Sequence, residues 1–272
     1  MPELPEVENV CISIKKSQNL LIKDVYYSGK KLKNLFDIKD LELLINNKIR
    51  KIYRKGKYII FQLDNNLYIV SHLGMSGVFL LNNERSLSKH DHIVIYFENN
   101  LILKFNDIRR FGMFQIVNNI KFSQLKFLNN LGIDALDSNF NEVYLYEKLK
   151  NINANIKHTL LNQTLVAGIG NIYASESLFK AQISPLCSAK KLSKIQTKEL
   201  VYWIKFILNQ SINNGGSTLR DYKKSDGSIG NFQNLFSVYQ KQGVPCVNNC
   251  GCLIVKIMQN QRSTFYCPDC QK

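Results

Sequence analysis

The sequence of 272 residues has no uninterrupted apolar run approaching the roughly 18 residues of a membrane-spanning helix, although 45% of it is hydrophobic. It also lacks a leader-like start. Met1-Pro2-Glu3-Leu4-Pro5-Glu6 is acidic and broken by proline, unlike the charged-then-apolar opening of a secretory signal. Internal repeats and low-complexity tracts are absent. Acid is scarce: 21 Asp and Glu stand against 36 Lys and Arg, a formal charge of +15 with a pI near 9.4. Such an excess suits a polyanion such as nucleic acid, whose phosphates attract cations regardless of sequence. A membrane surface is the competing partner, and the missing apolar run argues against it. Nor do the seven cysteines form a disulfide framework, because five of them (Cys246, Cys250, Cys252, Cys267 and Cys270) crowd the C-terminal end. These features predict a cytoplasmic, nucleoid-associated nucleic-acid protein with a terminal zinc module.

The length predicts about two domains at roughly 150 residues each. Val7, Val10, Cys11 and Ile14 recur at helical spacing behind Glu6, which suits a helix N-terminus. From about Leu20 to Val117, short runs rich in Ile, Tyr, Phe and Val alternate with turn residues such as Asp64-Asn65-Asn66. They predict antiparallel hairpins of a sandwich or barrel. Helical patterns follow near Phe122 to Asn129, Glu142 to Asn151, Asn155 to Thr164, Ile172 to Ala181 and Ser193 to Ile212. Residues 213–235 form a long polar loop, and loops of that length are usually functional or disordered. The expected class is α+β. An N-terminal helix and antiparallel β-sandwich fill 1–118, and a hinge covers 119–130. A helical domain spans 131–235, carrying a loop at 213–231, and a Cys-bearing hairpin closes the chain at 236–272.

Trimming of Met1 would make Pro2 an N-terminal secondary amine. Such amines titrate at about 7.7 to 8.0, so a neutral fraction exists near pH 7 and can attack a sugar C1′ to give an iminium. Glu3 or Glu6 could then serve the ribose oxygen with a proton. A Met-Pro start alone is weak. Several further strings stand in register: Gly56-Lys57-Tyr58, His72-Leu73-Gly74-Met75-Ser76-Gly77, Lys89-His90-Asp91-His92 and Asp107-Ile108-Arg109-Arg110-Phe111-Gly112. Gly168-Ile169-Gly170-Asn171, Gly215-Gly216-Ser217-Thr218-Leu219-Arg220-Asp221-Tyr222 and Gln261-Arg262-Ser263-Thr264-Phe265-Tyr266-Cys267 continue the series. Together with the opening octet, the whole chain resembles the formamidopyrimidine-DNA glycosylase family.

That resemblance implies a bifunctional glycosylase and abasic-site lyase that removes oxidised purines from duplex DNA by β,δ-elimination, with a helix-two-turn-helix domain and a zinc finger. It implies Pro2 as nucleophile, Glu3 as proton donor at the sugar, Glu6 as its assistant and Lys57 as catalytic lysine. An ordinary reading of Lys57 is a solvated hairpin lysine. Base excision requires the nucleotide to be turned out and its place in the stack filled. Met75, Arg109 and Phe111 resemble the wedge that does this, with Arg110 beside them. Burial in the core is the ordinary alternative for Met75 and Phe111, but their Gly-Met-Ser-Gly and Arg-Arg-Phe-Gly contexts are turn-like and favour exposure. Asn171, a plausible N-cap, resembles a phosphate ligand, with Lys157 and Arg262 as basic contacts. His72 and His90 read as neutral phosphate donors or packed strand histidines, as does His92. Gly216, Ser217, Thr218, Leu219, Arg220 and Tyr222 form the candidate lesion loop.

Cys267-Pro268-Asp269-Cys270 has zinc-knuckle spacing. Upstream, Cys246 and Cys250 carry three intervening residues where the family has two, so Cys252 stands as the alternate ligand. One structural zinc, no redox or organic cofactor, damaged double-stranded DNA as partner and a monomeric state follow. Cys11 and Cys187 read as buried thiols. Two other readings are an endonuclease VIII-like enzyme for oxidised pyrimidines and a catalytically silent damaged-DNA-binding protein.

Overall fold

Pro5 costs helix α1 (Leu4–Ile14) little, because N–H groups in a first turn have no partner within the helix. Its predicted stripe of Val7, Val10, Cys11 and Ile14 is wholly buried. Burial, with Glu8 next in weight, pushes the Cys11 thiol up to about 12, so it stays protonated as an apolar filler. A computed structural model describes residues 1–33, 38–218 and 227–272 of the chain. It divides into two units, 1–129 with 214–233, and 130–213 with 234–272.

In the first unit the strands are β1 (Ile22–Tyr27), β2 (Ile49–Lys55), β3 (Tyr58–Leu63), β4 (Leu67–His72), β5 (Gly77–Asn82), β6 (Asp91–Phe97), β7 (Ile102–Asp107) and β8 (Met113–Asn118). A short helix α2 (Ile38–Glu42) lies between the first two. They form two antiparallel four-stranded sheets of order β1-β6-β7-β5 and β2-β3-β4-β8. Alternating side chains of both sheets meet in one core with α1. Phe61 of β3 meets Phe79 of β5 edge-on at 5.6 Å, Phe79 meets Phe105 of β7 at 4.9 Å, and Phe105 meets Phe114 of β8 at 6.2 Å. This aromatic column crosses between the sheets and selects the sandwich from the expected sandwich or barrel.

Strand β8 runs into helices α3 (Asn119–Ser123) and α4 (Lys126–Asn129). Asn118 caps α3 by accepting from Lys121 N–H at 2.9 Å. Phe122 stacks on Tyr68 at 4.1 Å and Phe127 meets Tyr58 at 5.2 Å. Residues 119–129 therefore pack with the sheets, where the sequence suggested a hinge.

The second unit holds β9 (Ile133–Asp134), α5 (Glu142–Leu149), α6 (Ile156–Leu160), β10 (Val166–Ala167), α7 (Asn171–Lys180), α8 (Lys194–Asn213), β11 (Val255–Gln259) and β12 (Arg262–Tyr266). Asn141 and Asn155 cap α5 and α6 through Tyr144 N–H and His158 N–H. Helix α6 stops short of the predicted Thr164, because the Asn162 side chain accepts from Thr164 N–H and Oγ1 in a competing turn. The parallel β9/β10 pair, two residues per strand, is too short for a period to reveal. Buried Glu176 of α7 accepts from the N–H groups of Ser237, Val238 and Tyr239 at 2.7–3.0 Å. Its burial raises the carboxyl pKa, and those three donors oppose the rise. The β11–β12 hairpin turns through Asn260 and Gln261, both in the left-handed region, as a two-residue hairpin of matching twist requires. Among the described residues no helix is long and apolar enough to cross a membrane.

Candidate active site and nucleic-acid interface

Pro2, Glu3 and Glu6 are all buried at the start of α1. Glu3 N–H donates to Glu6 Oε2 at 2.9 Å, half of a capping box. The other oxygen, Oε1, accepts from Ser217 N–H at 2.8 Å and Ser217 Oγ at 2.9 Å. Glu6 thus joins the proposed nucleophile's neighbour to a loop residue 211 positions away. This places 214–233 with the first unit, whereas the sequence grouped it with the helices. The described ends of the loop are laced together. Thr218 N–H donates to Gln233 Oε1, Gly230 N–H to Thr218 Oγ1, and Phe232 N–H to Gly216 carbonyl. A Cβ on Gly230 would stand 2.1 Å from the Gly216 oxygen, so no other residue fits there. Leu219, Arg220 and Tyr222 lie outside the described residues.

Lys57 sits in the β2–β3 turn behind Gly56, whose φ of 59° is left-handed. It is 7% exposed, which removes the solvated-hairpin reading. The turn is braced by Arg54, a residue the sequence did not single out. Its Nε donates to Glu8 Oε2 of α1 at 2.8 Å and its Nη1 to the Gly56 carbonyl at 2.8 Å. One planar guanidinium therefore ties α1 to the lysine's turn.

His72 ends β4. Its Nδ1 accepts from Gly74 N–H at 2.9 Å, so the neutral ring carries its proton on Nε2 and acts as a donor there. Burial, then the charges of Lys57 and Lys33, push its pKa down to about 4, keeping it neutral. With Lys33, Tyr58, Phe111, Met113 and Phe127 it lines a cavity of about 190 Å³. His90 is half-buried and uncommitted to a metal cluster among the described residues. His92 is a packed strand histidine, with Nδ1 against Ser28 Oγ at 3.0 Å and Nε2 against the Asp107 carbonyl at 2.9 Å.

Met75 and Phe111 are 40% and 50% exposed, so neither is a core residue. Arg109 lies over the Phe111 ring at 4.8 Å, and Arg110 next to it holds a φ of 57°. The two loops touch through backbone: a Cβ on Gly74 would meet the Phe111 carbonyl carbon at 2.6 Å. Asp107, fully buried, joins them. Its Oδ1 accepts from Ser76 Oγ at 2.5 Å and Arg109 N–H at 3.2 Å, and its Oδ2 from Gly112 N–H at 2.7 Å. The sequence offered Asp107 only as part of a string.

In the second unit Gly170, not Asn171, is the N-cap of α7, in the extended backbone usual at that position and with no side chain to cap it. Asn171 is the first helical residue, and its Nδ2 donates to the Ser263 carbonyl at 2.9 Å. Lys157 Nζ donates to the same carbonyl at 3.0 Å and to Thr264 Oγ1 at 2.7 Å. Lys157 is 1% exposed. Both residues thus hold the hairpin that carries Arg262, which is itself exposed on the rim of a groove with His158 and Asn162.

The thiols of Cys246, Cys250, Cys267 and Cys270 converge, every sulfur within 4.8 Å of the others. Cys246 and Cys270 stand 3.8 Å apart, Cys250 and Cys267 3.5 Å. A tetrahedral zinc with bonds of about 2.3 Å needs sulfurs roughly 3.8 Å apart, so the donor set fits that ion. Cys252 is outside the cluster and contributes its carbonyl to Cys246 N–H instead. Cys187 is half-buried rather than buried.

The family model for the formamidopyrimidine-DNA glycosylase N-terminal domain matches residues 1–114, and that for its H2TH domain matches residues 131–223. A formamidopyrimidine-DNA glycosylase of Wolbachia pipientis subsp. Culex pipiens is 44% identical over the full length of both chains. The fold superposes on a Lactococcus lactis Fpg variant in complex with a Fapy-dG containing DNA with a TM-score of 0.91, at 33% identity and full coverage of both chains. It also superposes on MutM in complex with carbocyclic 8-oxo-G containing DNA with a TM-score of 0.90, at 34% identity and the same coverage. The α+β architecture, the buried N-terminal carboxylates and these matches together make the chain a member of the formamidopyrimidine-DNA glycosylase family, and hence a DNA glycosylase of DNA repair.

Proposed function

We propose that the protein excises oxidised purines, 8-oxoguanine and formamidopyrimidines, from duplex DNA and then cleaves the abasic strand. The observation that carries this reading is the buried Glu3–Glu6–Ser217 arrangement at the head of α1, which sets two carboxylates beside Pro2. Removal of Met1 exposes the Pro2 amine. Its lone pair attacks C1′, the glycosidic bond breaks, and the base leaves with the bonding electrons and takes up a proton. Glu3 protonates O4′ as the ring opens, leaving an iminium between proline nitrogen and C1′. Loss of a C2′ proton then expels the 3′-phosphate, and a second elimination expels the 5′-phosphate. Lys57 supplies positive charge near the reacting backbone.

Met75, Arg109 and Phe111 fill the vacated stack, with Arg110 close by, while neutral His72, together with His90, Asn171 and Arg262, meets phosphates. Lys157, expected among the phosphate contacts, serves them indirectly, its buried ammonium holding the hairpin that carries Arg262. Gly216, Ser217 and Thr218, with Leu219, Arg220 and Tyr222, cover the everted base. Cys246, Cys250, Cys267 and Cys270 would hold one zinc, which shapes the finger and takes no part in the chemistry. All these groups belong to one chain, which supports action as a monomer, and a DNA substrate of bacterial type would place that action in the cytoplasm at the nucleoid.

The test is borohydride trapping on a duplex carrying 8-oxoguanine. A reduced adduct mapping to Pro2, absent from a variant that retains Met1, is expected. DNA binding without adduct or cleavage would overturn the enzyme reading, and trapping on oxidised pyrimidines alone would move the substrate to that class.

A further inference from the structure

Met75 and Phe111 are large, apolar and half exposed, so core packing does not fix the loops that carry them. What holds them is Asp107. Its carboxylate accepts three hydrogen bonds, from Ser76 Oγ, Arg109 N–H and Gly112 N–H, while Ser76 Oγ itself accepts from Arg109 N–H at 3.1 Å. One donor follows Met75 in sequence, one belongs to Arg109, and one follows Phe111. Asp107 is anchored at its own backbone too, donating to His90 carbonyl at 3.0 Å and accepting from His92 Nε2. The residue is 0% exposed and so cannot reach DNA.

We propose that Asp107 is a positioning residue that locks Met75, Arg109 and Phe111 into one wedge, and so sets how fast a paired nucleotide is turned out of the duplex. The inference rests on the glycosylase reading above and deepens it. A carboxylate is needed because all three partners are donors and only an acceptor-only group with two oxygens meets them all. In Asp107→Asn the amide oxygen serves Ser76 and Arg109, and its NH₂ then faces the Gly112 N–H, donor against donor. The arm carrying Phe111 is released while the other stays.

A wedge matters only where a stack must be opened. On a paired duplex with 8-oxoguanine, single-turnover excision by D107N should fall about 10- to 100-fold, as expected for misplacing a group by about an ångström, with KM nearly unchanged. On a preformed abasic site in single-stranded DNA, its cleavage and borohydride trapping should stay within about threefold of the unaltered protein. Ser76→Ala, which removes one donor and leaves the carboxylate, should show the same split at about fivefold on the duplex. Equal losses on both substrates in S76A, or undiminished duplex excision in D107N, would overturn the inference. An unaltered protein silent on both substrates would instead overturn the glycosylase reading itself.

Discussion

The Glu6 carboxylate can be tested by replacing it with its neutral isostere. In Glu6→Gln the single amide oxygen cannot serve Glu3 N–H on one side and the two Ser217 donors on the other. Hydrogen bonds to a charged group contribute about 1.5–3 kcal/mol, and a buried donor left unmade costs about 1–3 kcal/mol. With Glu6 only 2% exposed, the variant should lose about 3 kcal/mol of first-unit stability. Ser217→Ala removes the hydroxyl but keeps the N–H, and should cost about 1 kcal/mol. The two changes share a contact, so the double variant should fall short of additivity by about 1 kcal/mol. Urea unfolding followed by far-ultraviolet circular dichroism measures this. Fluorescence of Trp203, the single tryptophan, gives a second probe, located in the second unit. Additivity within about 0.3 kcal/mol would refute the bracket. Kinetics separate it from a pure proton-shuttle role, under which S217A would leave excision untouched; the bracket predicts a fall of about fivefold.

His72 gives the chain a pH-dependent margin. Its folded pKa of about 4 lies below the ordinary 6.5, so the unfolded chain binds a proton over that interval and the folded chain does not. Its contribution is complete above about pH 6.5 and is lost as pH falls toward 4, by up to about 3 kcal/mol; His72→Asn should flatten the urea midpoint across that window. Cys250→Ser should lose bound zinc on plasma emission analysis while Cys252→Ser keeps it, and the reverse would move the ligand. Arg54→Met, which frees the Gly56 carbonyl and Glu8, should cost about 1–2 kcal/mol and lower lyase turnover several-fold at constant KM. An unchanged turnover would mean that Arg54 does not place Lys57.

Much of the molecule is readable along the chain because its signals are local. The α1 stripe, the strand runs, the asparagine caps and the Cys267–Cys270 knuckle each depend on neighbours a few residues apart. Met75 and Phe111 were placed on the surface by their flanking glycines, which mark turns. What was not readable joins distant positions. Asp107 and Ser76, Arg54 and Glu8, and Glu6 and Ser217 are hydrogen-bonded partners that no periodicity links. The cap falls one residue earlier than Asn171 because the asparagine's side chain bonds across to Ser263, 92 positions away, a contact that no local pattern announces. Choosing Cys250 over Cys252 needed the hairpin's three-dimensional path, since general zinc spacings admit both.

The β11–β12 hairpin is fastened twice, by the thiol cluster at its root and by Lys157 and Asn171 on Ser263 near its turn. A beam clamped only at its base swings most at the tip, where Arg262 projects. Supported near both ends, it has little freedom to swing, so the arginine's aim is set by helices α6 and α7 as much as by the sulfurs. Thiol damage at the root would then loosen the finger's base before it spoiled the aim of its tip.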